Sequence, residues 1–323
     1  RRQRQMCIRD RVIIYYTIIL LLTLAIKTGF SKRLITFCAA LALILCFSTI
    51  SLQSKELNII TFDVQNADCF LIKTPKNKYF IIDTGRAGYK GSKAQANSII
   101  IKYLKDRGIK NIEGLIITHF DNDHSGGAVD IMKNLKVKQV YINSFKDKTM
   151  TSINIYKTVR ELKIPVKIPE NSSTIYLEND LNMQTYIADE QEDNEKSIVT
   201  LLSYKNFDML FTGDAGVKAF SSIKQDIPHN VEVLKVGHHG GPHVVDNNML
   251  KHLNTQTSII STGPNAFGHP NKGTLDILRN TDVYRTDRHN SIKITSDGEV
   301  YNIFLYTPQK RKYILSKKMS TIN

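Results

Sequence analysis

THFDNDHSGG, residues 118–127, decides how this chain is read. A short apolar strand, EGLIITH (113–119), ends in His119. Asp121, Asp123 and His124 follow at once, and Ser125-Gly126-Gly127 opens a helix. Side chains of this kind at the end of a buried strand have no packing role. Carboxylates so close together repel one another unless a cation or protons intervene. A divalent cation supplies that counter-charge. Imidazole with carboxylate and no thiolate suits Zn²⁺ or Mn²⁺. The paired glycines let backbone pass close to such a site.

Working outward, the pattern recurs at further strand ends. FTGDAG puts Asp214 after the apolar MLF, LKVGHHGG puts His238 and His239 after strand 231–236, and GPNAFGHP puts His269 after strand 257–262. Singly, each fits an ordinary turn; together they predict one site assembled from several strand ends. Around them the periodicity predicts strands at 57–64, 69–74 and 79–85, with a turn at Pro75-Lys-Asn77. A helix over 98–107, stopped by Gly108, precedes the 113–119 strand, and helices over 126–135 and 152–162 flank a strand at 137–142. Strands follow at 174–178, 182–187, 197–203, 207–212, 231–237 and 257–262. A helix near 274–278 and strands near 282–285, 291–295 and 300–306 complete the reading. Strand blocks alternating with strand–helix units predict an α/β fold of two sheets with outer helices. Asp83-Thr-Gly85 is not the glycine fingerprint of a dinucleotide fold. The acidic run Asp189–Asp193 reads as a solvated loop.

The 323 residues, 41% apolar and 23% charged, allow one or two domains and exclude a disordered or disulfide-framework chain. The net charge of +14 is unevenly placed: residues 1–53 hold eight basic side chains and one acid. That region has two uncharged apolar stretches, Val12–Ile26 and Leu34–Leu52, the second long enough to cross a bilayer. Residues 12–53 are therefore expected to form a two-helix transmembrane hairpin. Its loop carries Lys27, Lys32 and Arg33, which by the positive-inside rule faces the cytoplasm and leaves the following domain extracytoplasmic. Residues 1–11 read as an artefactual or truncated start. A globular domain is expected over 54–312 and a basic tail over 313–323. Cys7, Cys38, Cys46 and Cys69 have no metal or disulfide spacing.

HFDNDHSGG resembles the HxHxDH signature of the metallo-β-lactamase fold, with Asp at the second position. The order HxDxDHxGG, then GD, LKVxHHG and GHP, behind a membrane region, resembles the soluble domain of the ComEC family of DNA-uptake proteins. The resemblance covers about Val12 to Lys310. It implies an αββα sandwich and one or two divalent metal ions, Mn²⁺ or Zn²⁺. It makes His119, Asp121, Asp123, His124, Asp214 and His238 metal-shell residues, with His239 the alternative to His238. Asp214 bridges if two ions bind, Asp123 orients the nucleophile, and Lys235 and His269 contact phosphate or stabilise the leaving group. Asp63, Asp68 and Asp83 are expected in supporting roles. The implied partners are DNA, the lipid bilayer, a channel region upstream and other DNA-uptake proteins.

Several positions depart from the family pattern. DVQNAD (63–68) has Gln65 and Ala67 where the family has glycines. No histidine lies between His124 and His229; Asn194 or Ser197 occupies the region of the usual third histidine, leaving one metal position short of ligands. Gly241 stands where a serine is expected, and Arg288-His289-Asn290 where a glycine turn is expected. The leading expectation is metal-dependent hydrolysis of DNA, the strand that is not imported, at the outer membrane face. Lys235, Lys251, Lys272, Arg279, Arg285 and Arg288 are candidate phosphate contacts. Hydrolysis of a small or surface phosphodiester, and a catalytically inactive DNA-binding or channel-stabilising domain, are the alternatives.

Overall fold

A computed structural model describes residues 56–88, 96–188 and 194–322, with Tyr16, Thr23 and Ala39. Apart from those three, residues 1–53, and with them the expected transmembrane hairpin, lie outside the described residues, as does the acidic run Asp189–Asp193. Among the described residues no helix is long and apolar enough to cross a membrane. From Glu56 onward the chain forms one unit.

In chain order the strands of the first half are β1 (Leu57–Thr61), β2 (Phe70–Lys73), β3 (Tyr79–Ile82), β4 (Asn111–Ile112), β5 (Gly114–Ile117), β6 (Lys136–Val137), β7 (Val140–Ile142) and β8 (Val166–Lys167). Then come β9 (Ser173–Glu178), β10 (Leu181–Tyr186), β11 (Val199–Tyr204), β12 (Phe207–Phe211), β13 (Val233–Lys235), β14 (Thr257–Ile260) and β15 (Asp282–Arg285). The chain closes with β16 (Ile292–Ser296), β17 (Val300–Thr307) and β18 (Lys312–Ser320). One sheet has the order β18-β17-β16-β1-β2-β3-β5-β7-β8 and the other β15-β14-β13-β12-β11-β10-β9. The closing strands return to pair with β1, so sheet membership does not follow chain order.

Three apolar layers hold the sheets and helices together. Successive residues of a strand point to opposite faces. Ile59, Ile72, Ile82 and Ile116 thus face the second sheet, where they meet Met183, Leu202, Met209, Phe211 and Ile259. Their neighbours Ile60, Leu71, Ile81 and Leu115 face outward onto Leu104, Ile131 and Ile155 of the helices. Helices Lys102–Lys105, Ala128–Asn134 and Met150–Glu161 form that outer layer. On the far side Leu201, Leu210, Leu234 and Ile260 pack on Ala219, Phe220, Met249 and Leu253. These come from helices Val217–Ile223 and Asn247–Leu253, for which the sequence pattern predicts no element. The layering is helix–sheet–sheet–helix, as the resemblance implies. Residues 313–320, expected as a basic tail, instead form most of edge strand β18. Its side chains are mostly exposed, so no alternation marks it, and its lysines suit an unpaired edge.

Strand direction positions the site. β3, β5 and β7 run parallel in one sheet, and β12, β13, β14 and β15 run parallel in the other. Asp83 follows β3, His119 follows β5, Asp214 follows β12 and His239 follows β13, so all lie at carboxyl ends of parallel strands. Asp68 arrives at the same edge from the loop before β2, which pairs antiparallel with β3.

Candidate metal centre

His124 lies at the middle of the site and is fully buried. Its Nδ1 is 2.8 Å from Asp83 Oδ2 and its Nε2 is 3.1 Å from Asp214 Oδ1. Asp83 is itself fixed, accepting from the Thr118 backbone N–H (2.9 Å) and the Thr118 hydroxyl (2.7 Å). A carboxylate on one ring nitrogen sets the tautomer and turns the other nitrogen into the site. The short helix bearing Asp123 and His124 can sit this close because Gly126 has no Cβ; one there would lie 2.2 Å from the Ala87 backbone nitrogen.

His119 flanks this group on one side. Its Nδ1 lies 3.1 Å from Thr118 Oγ1 and 3.3 Å from Ser197 Oγ, while Nε2 lies 3.7 Å from Asp121 and 3.9 Å from Asp214. Ser197 also accepts from the Asp214 backbone N–H, at 3.2 Å. Of the two residues weighed for the missing-histidine region, Ser197 is the one in the site, bracing His119 rather than offering an imidazole. Asp121 is 57% exposed.

His239 flanks the other side. Its Nδ1 is 2.9 Å from the Ser261 carbonyl oxygen and its Nε2 is 3.4 Å from Asp123 Oδ2. Asp123 also meets Arg86 at 3.2 Å. His238, its neighbour, is 40% exposed, with Nε2 3.9 Å from Asp214 Oδ2; its backbone N–H donates to Asp214 Oδ1 at 3.1 Å. Burial separates the pair: the His239 side chain is buried and that of His238 is 40% exposed.

The Nε2 atoms of His119, His124 and His239 are buried and make no hydrogen bond of proper geometry. Such atoms are costly to leave without a partner. Three sets of donor atoms each fall within 4.8 Å: His119, His124 and Asp214; Asp123, His124 and His239; and, behind them, Asp68, Asp83 and His124. Nitrogen and carboxylate oxygen donors in this number fit divalent cations. The electrostatics agree. Burial opposes the charge on Asp214, but His124, His239 and His119 hold its carboxyl well below the usual range. Burial likewise opposes ionisation of Asp123, and the His239 hydrogen bond and the His124 charge overcome it. Burial disfavours a charged His124, yet Asp214 and Asp83 raise it well above an ordinary imidazole. The acids are thus ready to hold positive charge.

Two expected residues stand elsewhere. Lys235 is fully buried rather than available to a phosphate. Its Nζ pairs with the buried Asp68 carboxylate and donates to the Gly213 carbonyl at 2.6 Å. The signal that could have placed it inside is its position in the apolar run VEVLKV (231–236), whose β13 positions are all buried. Arg285 is paired with Asp287 at 2.6 Å. His269 does approach the site, with its ring 5.1 Å from that of His238. Burial and the neighbouring His238 and His239 lower its pKa below that of an ordinary histidine. The absent serine side chain at 241 has a consequence here: a Cβ at Gly241 would lie 3.1 Å from the His269 ring. Gln65, where a glycine is expected, takes φ +61 all the same, and Asn290 takes φ +57 in the altered turn.

Residues 62–242 match the family model of the metallo-beta-lactamase superfamily. The chain is 26% identical over 314 residues to ComE operon protein 3 of Bacillus subtilis, covering 90% of this chain and 40% of that protein. It is 28% identical over 251 residues to Recombination protein 2 of Haemophilus influenzae, covering 75% of this chain and 29% of that protein. Competence protein ComA of Neisseria gonorrhoeae is 22% identical over 235 residues, covering 71% of this chain and 30% of that protein. This chain thus spans less than half the length of each of these relatives, and the likeness to competence proteins read from the motifs is met.

Proposed function

The chain belongs to the metallo-beta-lactamase superfamily, and from that premise we propose that it hydrolyses phosphodiester bonds of DNA with one or two divalent cations. The observation that carries the reading is the convergence of three buried, unbonded imidazole Nε2 atoms on the Asp123 and Asp214 carboxylates. The competence and recombination names of the relatives support DNA as the substrate class of this reading. On this reading residues 12–53 anchor the domain in the cell membrane, and the domain works on its outer face beside an upstream channel region.

In this assignment His119, His124 and Asp214 would hold one cation, and Asp123, His124 and His239 would offer a second position. Asp121, largely exposed, is an auxiliary ligand. A bound divalent cation supplies a Lewis acid for the phosphoryl oxygens and makes a water nucleophile available near neutral pH. Asp83 keeps the His124 ring oriented. Asp214 and Asp123, held ionised, keep the site anionic until a cation neutralises it. Burial and the neighbouring His238 and His239 disfavour the charged form of His269, and its ring would serve as a hydrogen-bond partner for the phosphate or leaving oxygen. Lys235 holds Asp68 and the Gly213 turn, and so positions Asp214 next to it in sequence.

The test is hydrolysis of single-stranded DNA by the purified chain with Mn²⁺, Zn²⁺ or Mg²⁺, beside Asp214→Ala. Metal-dependent cleavage that falls on the order of 10²–10³-fold in the variant is expected. A folded, metal-loaded chain that cleaves no DNA would overturn the reading.

A further inference from the structure

Two phenylalanines stand exposed on loops that flank the candidate centre, and each is braced toward it by other rings. Phe267 is 71% exposed and Phe145 is 54% exposed. Phe267 lies 5.8 Å from the His269 ring, which lies 5.1 Å from His238, the neighbour of Asp214. Its loop is fixed by Asn265, which accepts from the backbone N–H of Phe267 and of His269, each at 3.0 Å. Phe145 lies 5.5 Å from the Tyr156 ring, which lies 5.5 Å from Phe120, the residue after His119. The Tyr156 hydroxyl donates to the Ser144 carbonyl at 3.1 Å and so ties the Phe145 loop to its helix.

What sets these two rings apart from other exposed apolar side chains is the support that holds each in place, Asn265 under Phe267 and Tyr156 under Phe145. One chain of rings leads from Phe145 to Phe120, beside His119, and the other from Phe267 to His238. Exposed Lys146 and Lys148 adjoin the first and exposed Lys272 follows the second. Aromatic faces interleaved with cations are what single-stranded nucleic acid binds: bases stack on the rings and the cations track the phosphates. Paired bases inside a duplex offer no free face.

We propose that Phe145 and Phe267 are stacking platforms for unpaired bases on either side of the cleaved phosphate, which makes the substrate a single strand. This rests on the nuclease reading above and narrows it. The side chains involved are specificity determinants, not catalytic residues.

The experiment compares the full chain with Phe145→Ala, Phe267→Ala and the corresponding Trp variants. Binding is read by fluorescence anisotropy, and kcat and KM by hydrolysis. The probes are a single-stranded oligonucleotide, its duplex, and the same strand with abasic sites flanking the cleaved phosphate. Each Ala variant is expected to weaken single-strand binding about 5- to 100-fold. KM should rise with little change in kcat, Trp should restore binding, and the abasic strand should bind the variants and the parent alike. Binding that both Ala variants leave unchanged, or an equal loss on the abasic strand, would overturn the platforms while leaving the nuclease standing. Binding that follows the rings without any hydrolysis would overturn the nuclease and leave the platforms.

Discussion

The two sides of the His124 imidazole are built on opposite plans. Behind Nδ1 stand Asp83, Asp68, Thr118 and Lys235, all fully buried and paired among themselves. In front of Nε2 stand Asp214 and Asp123, with the exposed Asp121 and His238 at the rim. At the back the charges are paired with protein groups, Lys235 with Asp68 and His124 with Asp83, and the Asp68 oxygens alone lack a hydrogen bond of proper geometry. The front holds nitrogen atoms with none. The contrast separates what the fold supplies from what a bound cation must complete: the back fixes geometry and the front leaves valences open.

The sharpest way to break the back is to remove its buried cation. Lys235→Met leaves the Asp68 carboxylate buried without its partner, and losing one member of a buried pair costs about 3–5 kcal/mol. Denaturation of the metal-free chain should show that loss. Adding Asp68→Asn to Lys235→Met should recover most of it, since the pair as a whole is worth much less than the penalty of breaking it. An equal loss in the single and double variants would mean that Lys235 acts through packing alone. Asp83→Asn should touch the back more gently. It keeps the size and one acceptor for Thr118 but weakens the grip on His124 Nδ1. Metal affinity should fall about 10- to 100-fold with the melting temperature nearly unchanged. Titration with Zn²⁺ or Mn²⁺ followed by calorimetry reads both. An unchanged affinity would show that the His124 ring is held by packing rather than by its carboxylate.

The same contrast explains what was legible in the sequence. The front is written locally: an apolar strand followed by His119, Asp121, Asp123 and His124 announces itself in ten residues, and Asp214 follows its strand in the same manner. The back is written in the topology. Asp68 meets Lys235 only because the loop before β2 is carried to the same edge as β13 of the other sheet, across more than half the chain. No spacing rule joins residues so far apart, and a lysine near a site reads more easily as a phosphate contact than as an internal counter-ion. The fold class was legible because alternation in Ile59–Ile60, Leu71–Ile72 and Ile81–Ile82 serves two apolar layers at once. Edge strand β18 was not, since an edge exposed on both faces has no period to detect.

The smallest effect sharpens the front itself, at the histidine pair that spacing could not separate. His239 has its Nε2 buried and 3.4 Å from Asp123, and it belongs to a donor set within 4.8 Å. His238 is 40% exposed and reaches the centre mainly through its backbone N–H on Asp214. That hydrogen bond survives truncation of the side chain. His238→Ala should therefore change metal affinity and stability by no more than about twofold, as for an exposed substitution away from buried partners. His239→Ala removes a buried donor and should abolish occupancy of the Asp123 position. Metal content by mass spectrometry on the two variants distinguishes them. If His238→Ala lost an ion and His239→Ala did not, the inward and outward histidines would have to exchange places when a cation binds. Both residues hold positive φ, +42 and +53, so each is already committed to an unusual backbone conformation. Exchanging them would require both to leave it, which favours the buried histidine as the ligand.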